Sequence, residues 1–189
     1  ADNYKLARKD FGDPKVQEIQ LTTDGADNHS LARRPNEAQK KKYLIPITRG
    51  EAISAGAFTE PDHGSDITQV GTTSVQDGNG YLINGVKTFI SNGSIANYVI
   101  VLCQSDPEAK PSYRGQSTFI VERGSKGFEV TELGEKMGIK MTSTVEMSFD
   151  QVRVPEENLV GNLNKGFYQV IEFFDESRVM VAAQALGIA

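Results

Sequence analysis

Short strand-like segments separated by turn residues dominate the chain between about residues 51 and 155. Each segment is rich in β-branched or aromatic residues and is bounded by Gly, Asn, Asp or Pro, a pattern that predicts β-strands. Because no helix is predicted between them, a β-α-β sheet is excluded and a mainly β, antiparallel two-sheet sandwich or barrel is expected. The predicted strands are residues 70–75, 80–83, 86–91, 98–104, 117–122, 128–133 and 145–149.

Helical patterns are predicted on both sides of this β region. Asn36 is a plausible N-cap for a short helix before residue 51, and a second helix is expected from about Gly166 to the end of the chain. Helical spacing places Gln169 nearer solvent or a cleft. The same spacing predicts one buried stripe on the second helix: Phe167, Val170, Phe174, Ser177, Val181 and Ala185.

Charge and composition limit the class of partner. The formal net charge is −5, from 20 basic and 25 acidic residues, which argues against a nucleic-acid or anionic-membrane partner. The single cysteine, Cys103, fits a reducing compartment, and no apolar stretch is long enough to cross a bilayer. His29 and His63 lack the spacing of metal ligands, so no metal site is predicted. We expect an intracellular, soluble protein.

Residues 58–66, Phe-Thr-Glu-Pro-Asp-His-Gly-Ser-Asp, form a candidate cofactor loop ahead of the predicted strands. Gly64 has no Cβ and lets a flat or anionic ligand come close to the backbone, while Thr59 and Ser65 supply hydroxyls. This combination suits the polar edge of a flavin or a pyrophosphate. An ordinary surface turn has the same composition and is the alternative.

The predicted strand 86–91 is a second candidate. It is expected to begin after a tight turn at residues 84–85 and to end at another at residues 92–93, both Asn-Gly. Such a face could present an aromatic ring and a hydroxyl to one planar ligand, or it could be a half-buried strand with a core Phe. Strand alternation predicts Lys87, Phe89 and Ser91 on one face and Thr88 and Ile90 on the other.

A third candidate lies in the C-terminal helix, where Asp175 and Arg178 are one turn apart. The plain interpretation is an i,i+3 helix pair on a solvated face. Elsewhere, no Gly-x-Gly-x-x-Gly follows a strand to open a helix. Any flavin must therefore be held by strand faces and loops.

Five motifs, in order and spacing, resemble the acyl-CoA dehydrogenase family of flavoproteins over about residues 36–189. They are residues 58–66, 86–91, 136–138, 149–161 and 175–178. The resemblance implies a middle β-domain of two packed sheets between two helical domains. It divides the chain into a remnant of the N-terminal helical domain (1–50), the middle β-domain (51–160), and the first helix of a truncated C-terminal helical domain (161–189).

The resemblance also implies a function. Family members use FAD to convert an acyl-CoA thioester to the trans-2-enoyl-CoA and pass electrons to an electron-transferring flavoprotein. They assemble as homotetramers or homodimers, in the bacterial cytoplasm or the mitochondrial matrix. An acyl-CoA oxidase or flavin monooxygenase of the same fold, or a non-catalytic binding module, are the alternatives.

Site residues follow by position in the motifs. No catalytic base is assigned: in most members it is a glutamate beyond the end of this chain, and in a minority it stands where this chain has Ser177. Glu176 is one residue away, about 100° around a helix, and the chain alone is expected to be inactive. The residues expected to contact FAD are Phe58, Thr59, Gly64, Ser65, Phe89, Ile90 and Ser91, and those expected to contact substrate are Ser65, Asp175 and Arg178.

Overall fold

The computed structural model describes residues 35–189. Residues 1–34, with His29 and most of the predicted unit 1–50, lie outside the described residues. The strands are β1 (Ser54–Ala57), β2 (Thr73–Asp77), β3 (Gly80–Ser91), β4 (Tyr98–Gln104), β5 (Gln116–Glu122), β6 (Phe128–Glu132) and β7 (Thr144–Pro155). The helices are α1 (Glu37–Gln39), a π-helical turn (Lys40–Leu44), α2 (Ile45–Thr48), two 3₁₀ turns (Ser112–Gly115 and Glu156–Asn158) and α3 (Gly166–Ile188).

These strands form one curled seven-stranded sheet in the order β1-β4-β2-β3-β7-β6, with β5 paired to β4. The expectation of a mainly β domain with flanking helical segments is confirmed. The sheet is mixed rather than purely antiparallel, because β1 and β2 pair with β4 in parallel while the other pairings are antiparallel.

Strand β4 is buried on both faces and separates two hydrophobic clusters. Val99, Val101 and Cys103 face the cluster enclosed by the curl of the sheet. Ile100 and Leu102 face a second cluster formed with the helical segments. Burial on both faces is typical of strands with parallel neighbours, since helices and loops then cover the sheet.

Strand β1 is absent from the predicted strands because its sequence, Ser-Ala-Gly-Ala, has weak β-propensity. Its place in the sheet comes from close packing: Ala55 and Ala57 have no exposed surface, and a Cβ at Gly56 would lie 2.8 Å from the Phe58 ring. Small side chains are therefore required where β1 lies beside β4.

The predicted helices are present, with differences in what they bury. Asn36 caps α1 in a reciprocal arrangement with Gln39, as expected for an N-cap. In α3, Gln169 is fully buried, contrary to prediction, because its amide bonds the Thr118 hydroxyl and the Val160 carbonyl. The predicted apolar stripe is buried only near the start of α3, and Val181 is 58% exposed.

Within residues 35–189, no helix is long and apolar enough to cross a membrane. The same part of the chain holds no group of three or more His, Cys, Asp or Glu side chains placed to bind a metal ion.

Candidate functional site

Loop 58–66 and strand β3 meet through a backbone hydrogen bond. The Thr88 amide donates to the Thr59 carbonyl at an N···O distance of 2.9 Å. Thr88 lies in a β-bulge, where three steps along β3, from Lys87 to Ile90, match two steps along β7. The bulge takes Thr88 out of the regular ladder with β7 and lets it bond the loop, so two of the predicted motifs are neighbours in the fold.

The bulge also reverses which face each residue of β3 occupies. Before it Lys87 is fully buried, whereas after it Ile90 is buried and Phe89 is 69% exposed. The prediction that Lys87 shares a face with Phe89 and Ser91 is therefore wrong, because an extra residue shifts the period of two. Phe89 and Ser91 do share an exposed face, as expected for a ring and a hydroxyl that contact one ligand.

The first half of β3 also differs from the prediction. Asn84-Gly85 is not a turn but an irregular point within one long strand, which joins the two predicted strands 80–83 and 86–91. Gly85 has φ 148°, and a Cβ there would lie 2.5 Å from the Thr72 hydroxyl oxygen. The glycine allows close contact with residue 72 rather than a chain reversal. The second predicted turn, after Ser91, is present.

A buried ion pair lies directly beneath this junction. The Lys87 ammonium contacts Glu60 Oε1 at 2.8 Å and donates to the Phe58 carbonyl at 3.1 Å. Side-chain exposure is 0% for Lys87 and 6% for Glu60. The carboxylate also accepts the amides of Gly71 at 2.6 Å and Thr72 at 2.8 Å. The pair thus joins loop 58–66, residues 71–72 and β3.

Electrostatics favours the ionised carboxylate at Glu60. Burial by itself raises the pKa of Glu60, but the Lys87 charge and the bonds from Lys87, Thr72 and Gly71 outweigh it and hold the pKa below its usual range. Burial lowers the pKa of Lys87, and the neighbouring Glu60 opposes that shift. Beside the pair, burial raises the pKa of the Cys103 thiol to about 12, so this cysteine is an unreactive core residue.

Three predicted hydroxyls have the properties of ligand contacts. Among the described residues, the hydroxyls of Thr59, Ser65 and Ser91 make no hydrogen bond. Ser65 and Ser91 are exposed. Gly64 has open space around the position of a Cβ, so no packing within the described protein requires glycine there. These features fit a ligand that has several polar edge atoms.

Phe58 and Ile90, two other predicted contacts, have buried side chains. Ile90 belongs to the inner core cluster. The ring of Phe58 packs against Phe173 and Phe174 of α3, at centroid distances of 6.0 and 5.8 Å. Any ligand contact by Phe58 or Ile90 therefore involves the backbone, while the Phe58 ring connects loop 58–66 to α3.

The third motif, residues 175–178, lies in α3 directly after the two rings that contact Phe58. Asp175 comes next after Phe174, and its carboxylate lies 3.9 Å from the Arg178 guanidinium. Both side chains are more than 70% exposed, at 72% and 75%. The pair matches a solvated i,i+3 helix pair, and its predicted substrate contact stays a prediction.

The fourth motif, Lys136-Met137-Gly138, lies in the connection between β6 and β7. This connection borders a cleft of about 620 Å³ next to the end of β3. The Lys136 ammonium donates to the Thr142 hydroxyl at 2.7 Å across the connection. Met141, which lines the cleft, is fully exposed, and the lining also holds cationic Lys136 and Lys140 and anionic Glu132 and Glu135.

Comparison with known proteins identifies the family. The model of the acyl-CoA dehydrogenase middle domain matches residues 55–152, more than half of the chain. The chain belongs to the acyl-CoA dehydrogenase family. The predicted resemblance is thus confirmed, and FAD is the cofactor of this family.

Individual relatives agree with this assignment. A short-chain-specific acyl-CoA dehydrogenase of Clostridium acetobutylicum is 42% identical over 81% of this chain and 40% of its own length. Isovaleryl-CoA dehydrogenase of Pongo abelii is 39% identical over 85% of this chain and 38% of its own. The crystal structure of an acyl-CoA dehydrogenase from Geobacillus kaustophilus is 43% identical in sequence, with a TM-score of 0.78. The match covers 81% of this chain and 40% of that one. The chain therefore spans about 40% of the length of these relatives.

Sequence reasoning missed the buried pair formed by Lys87 and Glu60. Lys87 follows Val86 within a predicted strand, whereas Glu60 stands in a polar loop, two residues after Phe58. A lysine inside a predicted strand is a weak signal of a buried pair. A fully buried lysine almost always has a partner, but the sequence does not show that Lys87 is buried or which acidic residue lies beside it. No residue pattern in the sequence predicts the bulge at residues 88–89.

Proposed function

We propose that this chain supplies the FAD-contacting and part of the thioester-contacting surface of an enzyme that dehydrogenates an acyl-CoA to the trans-2-enoyl-CoA. The observation that carries the proposal is the junction of loop 58–66 with β3. There, a backbone bond and a buried ion pair hold Thr59 beside the bulge that exposes Phe89 and Ser91.

The residues fit distinct parts of a flavin. Phe89 offers an exposed ring that packs along a planar ligand, and Ser91 places a hydroxyl on the same exposed face. Thr59 and Ser65 offer further hydroxyls for the polar edge, and Gly64 allows close backbone approach. When bound, FAD would supply the acceptor for the hydride of the acyl chain. The protein groups named here would orient the flavin and exclude water from it.

Substrate contacts are assigned to Ser65, Asp175 and Arg178. Removal of the α-proton requires a carboxylate base in a dry pocket, and we assign no base in this chain. Ser177 bonds the Phe174 carbonyl at 3.1 Å, as a hydroxyl within a helix commonly does. Glu176 stays unassigned as well, because it lies on another face of α3.

The remaining parts of the proposal follow the family. Electrons pass to an electron-transferring flavoprotein, and the enzyme is a homotetramer or homodimer located in a bacterial cytoplasm or a mitochondrial matrix. The division at residues 50 and 160 into three structural units, the outer two belonging to larger helical domains, is also proposed.

The test uses the protein expressed from its complete reading frame. It should purify yellow with one FAD per chain, and anaerobic addition of an acyl-CoA should bleach the flavin absorbance. Slow reoxidation in air is expected of a dehydrogenase, whereas fast reoxidation would indicate the oxidase or monooxygenase alternative. A colourless protein that takes up no FAD would refute the proposal and favour a non-catalytic module.

Phe89→Ala, with Val75→Ala as its matched control, tests the site itself. Both residues are exposed apolar side chains on neighbouring strands, at 69% and 59% exposure. We expect Phe89→Ala to weaken FAD binding roughly tenfold in an equilibrium titration of the apoprotein, and Val75→Ala to leave it unchanged. Equal affinities for the two variants would remove Phe89 from the site.

A further inference from the structure

Lys87 and Glu60 are not among the proposed ligand contacts, yet they occupy the centre of the junction. Both are buried, so neither side chain faces a ligand. Burying an ammonium and a carboxylate is expensive, and a pair of apolar side chains of similar volume is often equally or more stable. The stability of the fold alone therefore gives little reason for a charged pair here.

The geometry of the bonds gives a different reason. Lys87 bonds both the Phe58 carbonyl and the Glu60 carboxylate, and these groups flank Thr59 in sequence. The Thr59 carbonyl is itself bonded by the amide of Thr88. Thr59 is thus fixed on both sides and in the middle by two consecutive residues of β3, and Phe89 follows directly.

The other partners of Glu60 complete the arrangement. Its second oxygen accepts the Gly71 amide, and its first is shared between Lys87 and the Thr72 amide. The Thr72 carbonyl in turn accepts the amide of Gln104 at the end of β4, at 2.7 Å. Charge-assisted hydrogen bonds are shorter and stronger than neutral ones, and a fully satisfied buried network is rigid, so these bonds hold the connected segments at set distances.

We propose that Lys87 and Glu60 are positioning residues: their buried ion pair fixes loop 58–66 against the bulge of β3, and so sets the spacing between the Thr59 hydroxyl and the Phe89-Ser91 face. This rests on the proposed function for the identity of the ligand, FAD. The positioning itself is a property of the protein and can be measured without FAD.

Three variants separate positioning from the cost of an unpaired charge. Lys87→Met and Glu60→Gln each leave one charge without its partner. The double variant K87M/E60Q removes both charges, so it should be more stable than Lys87→Met, but it lacks the two Lys87 bonds on either side of Thr59 and keeps only the backbone bond from Thr88. Val154→Ala is the control for destabilisation, since Val154 is buried in the core beside Tyr81, near the opposite end of β3.

Two readouts are taken on the protein from its complete reading frame. The first is hydrogen exchange of the Thr88, Gly71 and Thr72 amides in the apoprotein, compared at matched global stability. The second is the dissociation constant for FAD. We expect the double variant to show faster exchange at these amides than Val154→Ala and a dissociation constant raised roughly tenfold, with a changed visible spectrum of the bound flavin.

The outcomes are distinct. If the double variant keeps the wild-type exchange rates and FAD affinity, the pair is only a structural element and the inference is overturned. If the wild-type protein binds no FAD, the proposed function fails, while the exchange rates still decide whether the pair positions loop 58–66. Equal FAD weakening in Val154→Ala would also overturn the inference, because general destabilisation would then explain the effect.

Discussion

Two ion pairs of this molecule contrast in burial and in what they connect. Lys87 and Glu60 are buried, lie 2.8 Å apart and come from segments 27 residues apart in sequence. Asp175 and Arg178 are exposed, lie 3.9 Å apart and belong to one helix turn. The first pair joins three backbone segments, whereas the second links two residues of α3. The proposed flavin contacts thus lie beside a buried charge network, whereas two of the proposed substrate contacts form an exposed helix pair.

Among the variants that test this contrast, Lys87→Met should cause the largest loss in the free energy of unfolding. The substitution leaves the Glu60 carboxylate buried without its cation, which typically costs about 3–5 kcal/mol. Urea denaturation at neutral pH measures the loss. A loss below about 1 kcal/mol, typical of exposed pairs, would mean that burial does not distinguish the two pairs.

Gly85→Ala should rank second and disturbs the same region through the backbone. A Cβ at residue 85 would lie 2.6 Å from Thr72 Cα, and the φ of 148° disfavours any side chain. We expect a loss of about 2–3 kcal/mol in unfolding free energy. Gly138→Ala is the control, because open space surrounds that position and it should change stability little. Equal losses would contradict the proposed close contact.

The pH dependence of stability should show a smaller difference. The folded-state pKa of Glu60 is lowered from 4.5, so its contribution is present above that pH and is lost as the pH falls through the folded-state value. Glu122, whose pKa the Lys42 hydrogen bond lowers, has the same sign. In urea titrations from pH 7 to pH 3, the stability difference between wild type and Glu60→Gln should shrink. A constant difference would show that Glu60 does not titrate in this way.

Arg178→Met should have the smallest effect on stability. Exposed i,i+3 pairs contribute a few tenths of a kcal/mol, so the change should lie within about 0.5 kcal/mol. If Arg178 contacts the thioester as proposed, the same variant should weaken acyl-CoA binding by the holoenzyme, measured by flavin absorbance changes. Arg178→Lys tests whether charge alone suffices. A large stability loss would instead show that Arg178 has a structural role.

Local patterns predicted much of the fold because they need only neighbouring residues. The predictions of strands from the β-branched runs of β4 and β5, and of an N-cap at Asn36, are confirmed. The sequence motifs around Thr59 and Phe89 also predict a shared site. Their convergence rests on the Thr88 bond, which depends on residues far apart in sequence.

Other features depended on non-local contacts. Strand β1 has a weak local signal and is defined by packing against β4. Gln169 is buried because Thr118 and Val160 offer partners, which a helical period cannot show. Val181 shows the reverse error, since it lies on the stripe predicted to be buried but is exposed.

The sequence by itself determined the family, the strand-rich middle region and the residues that face a flavin in the proposal. Only the tertiary structure decided that Lys87 points inward, that Phe89 points outward, and that Glu60 joins three segments. The physical reason is the bulge after Lys87. One extra residue in a strand reverses every following side chain, and which strand carries it is decided by pairing with a distant partner, β7.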